Sequence, residues 1–192
     1  MLEEEKYLSP KQSLKVITET IIKTKDNFRN KSFYFLLWGW LLAVASFLSF
    51  FLQQFTDFQF YHLPFPVLTA TGIVTTLVYH TKRKSFELTQ TYLSYFLSIL
   101  WLVLGVSFIT VVMINVSQNL LPFTYTLLVA GIGTLVSGLV MKFKPLTLGG
   151  ILFFIAALVC SFVSDNYKPF LHGIAIVAGY IIPGYMLKFS KI

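Results

Sequence analysis

The chain has 192 residues, 56% of them hydrophobic and only 12% charged, with a mean hydropathy of +0.73 and a net charge of +7. A soluble domain needs far more polar surface, so the composition excludes an ordinary soluble fold and points to a membrane protein. The basic residues sit beside apolar runs, where they read as orientation signals rather than as a nucleic-acid footprint, and no nucleic-acid partner is expected. The single cysteine, Cys160, excludes an intramolecular disulfide.

The first 32 residues carry Glu3, Glu4, Glu5 and several lysines but no short apolar core, which is not the pattern of a cleavable signal peptide. Within them, "SPKQSLKVITETIIKTKDNFRN" (Ser9–Asn30) predicts a helix. Ser9 and Gln12 form a capping box, and Pro10 falls at the first helical position. At 100° per residue Leu14, Ile17, Ile21 and Phe28 share one narrow face. Lys11, Lys15, Glu19, Lys23, Asp26 and Arg29 lie elsewhere, and Lys25 falls at the edge of that face. Residues 1–32 are therefore expected to form a cytoplasmic amphipathic helix segment. Its apolar face has two possible occupants: the anionic inner leaflet of the lipid bilayer, or a protein partner at the cytoplasmic face.

Six apolar runs follow, each long enough or nearly long enough to cross about 30 Å of hydrocarbon at 1.5 Å per residue. They are read as residues 33–52, 64–80, 92–114, 120–141, 146–163 and 170–187, and none has a charged residue in its central part. Seven basic residues precede the first run; Lys82, Arg83 and Lys84 follow the second, Lys142 and Lys144 the fourth, Lys188 and Lys191 the sixth. The opposite loops hold only Lys168, so 14 of 15 basic residues fall on one side. Positive-inside logic makes that side cytoplasmic, with both termini inside.

The even-numbered runs share a plan. "LPF" (Leu63–Phe65) opens the second, "LPF" (Leu121–Phe123) the fourth and "KPF" (Lys168–Phe170) the sixth. The fourth closes on "GLVMKF" (Gly138–Phe143) and the sixth on "GYMLKF" (Gly184–Phe189). From proline to closing lysine the separations are 18, 20 and 19 residues, which predicts three hairpin repeats of two spans each. The fold class expected is an all-α membrane protein: six transmembrane helices as three hairpin repeats, plus the cytoplasmic N-terminal amphipathic helix. The even runs are rich in small residues, with Ala130, Thr134 and Gly138 and then Ala175, Gly179 and Pro183 recurring every four, so they are expected to line the interior. The bulkier odd runs are expected to face lipid. Pro183 is expected to kink the sixth.

No catalytic motif is present: no GxSxG elbow, HExxH, Walker A loop or Rossmann fingerprint. No metal-ligand spacing occurs either, so an enzyme, a cofactor and a metal site are not expected. The carboxylates all lie outside the apolar runs, which argues against an ion-coupled transporter. His62 is placed in an outer loop, His80 at the inner end of the second run, and His172 one turn into the sixth. A candidate polar track comprises Thr71 and Thr75 on the second run, Tyr125 and Thr134 on the fourth, and His172 and Tyr180 on the sixth. Threonine more often bonds back to its own helix, so packing is the competing explanation.

"NKSFYFLLWGWLLA" (Asn30–Ala43), preceded by the "SLKVITETIIKTKDNF" helix, resembles the start of a group of small bacterial membrane proteins of uncharacterised activity. The six short spans in hairpins, with "LGGILFFIAALV" after a basic turn, are similar in layout to the HdeD-type membrane proteins of acid resistance. The resemblance implies a polytopic bundle and maps no functional residue. The function expected is that of a regulatory or accessory membrane protein acting through a partner; the alternative is a small transporter or channel using the polar track.

Overall fold

The computed structural model describes residues 10–56, 59–84 and 92–190, with side chains for 31–56, 59–82 and 92–190. Among the described residues the chain forms helices joined by short turns, with no strand. The elements are α1 (Pro10–Phe55), α2 (Pro64–Lys84), α3 (Tyr92–Ser117), α4 (Phe123–Val140) and α5 (Lys144–Phe162), followed by one 25-residue segment, Asp165–Phe189. That segment starts with a 3-10 turn and continues as α6 (Lys168–Ile176), a π turn (Val177–Ile181) and α7 (Ile182–Phe189).

Among the described residues five stretches are long and apolar enough to cross a membrane: Lys31–Phe55, Tyr92–Ser117, Phe123–Val140, Lys144–Phe162 and Asp165–Phe189. The protein is a multi-pass membrane protein by helix length and hydropathy. Helix α2 is of comparable length but more polar, because five threonines lie between Thr69 and Thr81 and Lys82, Arg83 and Lys84 close it.

The first helix runs 46 residues without a break, so the predicted amphipathic segment and first span are one element. No proline or glycine occurs between Ser13 and Trp38 to interrupt it. Leu14, Ile17, Ile21 and Phe28 lie on this helix, and their side chains fall outside the described residues.

Helices successive in the chain run antiparallel where they touch, as do α1 and the final segment, whereas α4 and the final segment run parallel, Thr126 meeting His172 and Thr134 meeting Tyr180. Along α1 and the final segment, Leu36 meets Gly184, Gly39 meets Ile181, Phe47 meets Gly173, and Gln53 bonds Asn166. Helix α2 flanks α1, with the Trp38 ring over Gly72 and Phe33 stacked on Tyr79. Helix α3 flanks α4, with Trp101 and Leu104 over Gly133. The tightest crossing joins α4 and α5, where backbones touch: a methyl group at Gly150 would lie 2.5 Å from the Leu135 nitrogen. Gly138 brings α4 as close to the Thr147 backbone of α5, and Gly131 lies against Phe153, where an added methyl would be 3.2 Å from its Cβ. In three pairs of successive helices, α1–α2, α3–α4 and α5 with the final segment, an aromatic ring of the first covers a glycine of the second: Trp38 on Gly72, Trp101 on Gly133, Phe153 on Gly179.

The expected inside–outside contrast between even and odd spans appears in part. Over their most apolar 18 residues the final segment and α4 are the most buried spans, at 56% and 50%, whereas α3 is 11% buried. Two helices depart from it. Helix α2 buries little beyond Pro64 and Gly72, whereas α1 is central, contributing Phe35, Leu42, Ala43, Ala45, Ser46 and Ser49 to the interior. The small residues of α2 are interleaved with exposed Val67, Ile73, Val74 and Leu77, so they never form one continuous face.

The two six-residue sequences end differently. In "GLVMKF", Phe143 N–H donates to Gly138 O at 2.9 Å and Lys142 N–H to Leu139 O at 3.1 Å, a Schellman closure with Lys142 left-handed at φ 51°. In "GYMLKF" the chain stays helical through Phe189. Asn119 closes α3 in the same left-handed way, at φ 57°, with Leu120 N–H donating to Asn115 O at 2.9 Å.

The irregularity near Pro183 is a π turn just before it rather than a simple break. Pro183 has no N–H for the Gly179 carbonyl four residues earlier. That carbonyl instead lies against Gly149 of α5, where any side chain would collide with it.

Candidate functional site

Polar side chains in a bilayer need partners within the protein, so the buried ones locate any site. Two groups stand out. The first lies toward the lysine-bearing end. The Trp101 Nε1–H donates to Ser137 Oγ at 3.1 Å, and its ring meets Phe35 at 5.5 Å and Tyr180 at 6.3 Å. Tyr180 is buried, edge-on to Phe153 at 4.8 Å, with the Thr134 hydroxyl as the polar side chain beside its phenol. Thr134 Oγ1 itself donates to Ala130 O at 2.7 Å.

The second group is built on His172, only 3% exposed, where α1, α2, α4 and α6 converge. Its Nδ1 lies 2.8 Å from Ser46 Oγ, and its Nε2 lies 3.5 Å from Thr126 Oγ1. Ser46 Oγ donates its own proton to Leu42 O at 2.6 Å. Its oxygen is therefore the acceptor toward the ring, and Nδ1 carries the ring proton. Thr126 donates its proton to Phe123 O at 2.9 Å, so it too presents an oxygen lone pair to the ring. Phe123 and Phe65 close the remaining sides, with ring centroids 5.3 Å and 6.2 Å from the imidazole.

The six candidate track residues do not converge. Thr71 and Thr75 are outside the core, and their hydroxyls donate to Val67 O at 2.9 Å and Thr71 O at 2.8 Å on their own helix. Tyr125 is exposed beside an open cleft of about 250 Å³ between the ends of α3 and α4, lined also by Val111, Asn115 and Leu120. Thr134 and Tyr180 belong to the first buried group and His172 to the second. Of the other histidines, His62 is in the turn before α2, where partial burial lowers its pKa from the ordinary value, and His80 is exposed near the end of α2.

The sequence reading missed Ser46 and Ser137, which complete these groups. A lone serine or threonine in an apolar run resembles every other back-bonded hydroxyl. The available signal was helical register: Ser32, Ser46 and Ser49 recur on the face that carries Phe35 and Leu42.

Chemically, the His172 group holds a fixed imidazole among neutral hydroxyls and rings. The only carboxylate among the described side chains, Asp165, is exposed and paired with Lys168 at 2.6 Å. Among the described residues no group of three or more His, Cys, Asp or Glu side chains could hold a metal ion. No protein-family model matches this chain, and comparisons with curated proteins and with solved structures give no match.

Proposed function

We propose that this is a non-catalytic regulatory or accessory membrane protein that acts through a partner at its cytoplasmic face. The observation that carries this reading is the unbroken helix Pro10–Phe55. At 1.5 Å per residue its 46 residues measure about 69 Å, roughly twice the hydrocarbon thickness. Lys31–Phe55 is the apolar half. The charged half, Pro10–Asn30, then stands about 31 Å clear of the span. A helix continuous with its own span cannot also lie flat on the leaflet, which favours the protein partner for Leu14, Ile17, Ile21 and Phe28.

In this reading α2 crosses as well, giving six spans in three hairpins, each with its aromatic ring over a glycine. Lys31, Lys82, Lys142, Lys144 and Lys188 lie at one end of the bundle and Lys168 at the other, which supports a cytoplasmic first end in a bacterial inner membrane. The transport alternative has less support, because Thr71, Thr75 and Tyr125 lie away from the buried groups and backbone contact closes the α4–α5 crossing.

The test is affinity isolation of tagged protein from native membranes in mild detergent, alongside a form lacking residues 1–30. A stoichiometric partner lost on truncation is the expected result. Absence of any partner from both forms, with ion or solute flux in liposomes, would replace the reading with transport.

A further inference from the structure

Most hydroxyls in these helices donate to a backbone carbonyl of their own helix, as Ser46, Thr56, Thr71, Thr75, Ser98, Ser107, Thr110 and Thr134 do. Ser49 is different. It is fully buried, and its Oγ has no hydrogen-bond partner in the protein. One turn further toward the end of α1, Gln53 shows the same feature at one atom. Its Nε2 donates to Asn166 Oδ1 at 3.2 Å, whereas its Oε1 is buried without a partner. At 100° per residue Ser46, Ser49 and Gln53 fall within about 60° of arc on α1. Ser46 contacts His172 and Gln53 contacts Asn166, so this face packs on the final segment along its whole outer half.

Oxygen atoms therefore follow one another from exposed Asn166, through Gln53 Oε1 and Ser49 Oγ, to Ser46 Oγ and the imidazole. Buried oxygens in an otherwise apolar interior cost free energy unless something donates to them, and the usual donor is an ordered water with two to four polar neighbours. The surroundings of the ring point the same way. Ser46 and Thr126 have already given their protons to Leu42 O and Phe123 O, so both offer lone pairs to the imidazole. An imidazole protonated on both nitrogens would find an acceptor at each.

We propose that His172 is a proton-binding site reached by water from the Asn166 end of the bundle, along Gln53 and Ser49, and closed toward the opposite end. No charged side chain opposes it from the packed elements. Helix α1 presents Ser46 and Ser49, α2 presents Phe65, and α4 presents Phe123 and Thr126. On its own segment Asp165 and Lys168 pair with each other, and Lys188 lies in the last turn, sixteen residues beyond the ring. Water donates to Ser49 Oγ and Gln53 Oε1 and meets the ring on its Ser46 side, and in the protonated ring Nδ1–H faces Ser46 Oγ while Nε2–H faces Thr126 Oγ1. Beyond the ring Tyr180, Phe153 and Trp101 fill the interior, so the path ends at His172.

The experiment uses full-length protein in lipid nanodiscs, with ring nitrogens of histidine labelled with 15N. The expected spectrum shows His172 as the Nδ1–H tautomer at pH 8, gaining the Nε2 proton on acidification. Its ring also shows magnetization transfer from water. Ser49→Val with Gln53→Leu removes both oxygens and is expected to slow water-to-ring exchange at least tenfold, leaving exchange at exposed His62 and His80 unchanged. Should that pair fail to fold, Ser49→Ala alone is expected to slow exchange several-fold. A His172 ring that keeps one tautomer from pH 8 to pH 4 without exchange would overturn the site. Exchange indifferent to the Ser49 and Gln53 substitutions would overturn the path.

Discussion

Replacing Gly150 by alanine probes the feature on which the bundle depends most. A methyl group there would sit 2.5 Å from the Leu135 nitrogen, 2.6 Å from its Cα and 2.7 Å from its Cβ. Two of these atoms are backbone, so no side-chain rotation relieves the contact. Restoring a 3.4 Å separation requires α4 and α5 to part by about 0.9 Å, and overpacking of this kind costs about 1–3 kcal/mol. Separation would also loosen the close contacts at Gly131 and Gly138 on the same crossing. Against this, alanine gains up to about 1 kcal/mol over glycine as a helix former. The control is Gly105→Ala on α3, where an added methyl meets nothing within 4 Å. Reversible unfolding in mixed micelles of dodecyl maltoside and dodecyl sulfate, followed by tryptophan fluorescence, measures both. Gly150→Ala should lower stability by about 1–2 kcal/mol net, while Gly105→Ala should be neutral or stabilising by up to about 1 kcal/mol. Equal effects at the two positions would refute the claim that backbone contact holds α4 against α5.

The buried groups make further predictions. Ser46→Ala leaves the His172 Nδ1–H without an acceptor and should cost about 1–3 kcal/mol, and adding His172→Phe should recover part of that loss, since the double variant leaves no orphan. Simple additivity in that unfolding cycle would contradict the Ser46–His172 hydrogen bond. Trp101→Phe removes the bond to Ser137 and should cost about 0.5–1.5 kcal/mol, with little further loss when combined with Ser137→Ala. Lys142→Gly relieves a left-handed backbone and should raise stability by about 1 kcal/mol in the same assay; a drop would mean that the lysine's charge outweighs its strain. For orientation, single cysteines at Lys82 and Lys188 should resist impermeant thiol reagents in intact cells while one at Lys168 reacts, all in a Cys160→Ser background; labelling at Lys82 would invert or break the six-span arrangement.

Much of the fold can be read without coordinates. Apolar length alone locates the five long spans. The small-residue spacing at Ala130, Thr134 and Gly138 marks α4 as an interior helix, because only small side chains let backbones meet. Pro183 marks the irregular part of the final segment, although the chain absorbs it as a π turn upstream of the proline. Less was legible at Asn30 and Lys31, where a step in polarity reads as a boundary between two helices. The backbone hydrogen-bond ladder is indifferent to that step, and α1 continues through it. The polar track was the least legible, because threonines on α2 and α4 have the same composition whether they turn inward or outward.

By itself, then, the sequence determined the quantities that depend on local chemistry: which segments prefer hydrocarbon, where charge collects, and where a proline denies a donor to its helix. Each follows from a residue and its near neighbours. Only the tertiary structure decided which face of each helix is inside, because that depends on partners distant in the chain. Ser46 meets His172 across 126 residues, and Trp101 meets Ser137 across 36. It also decided that α2, with as many hydroxyls as its counterparts, stands at the edge of the bundle while α1 stands at its centre. Rotation of a helix about its axis costs nothing locally and is settled by which contacts bury small residues against rings, and no window of sequence contains both sides of such a contact.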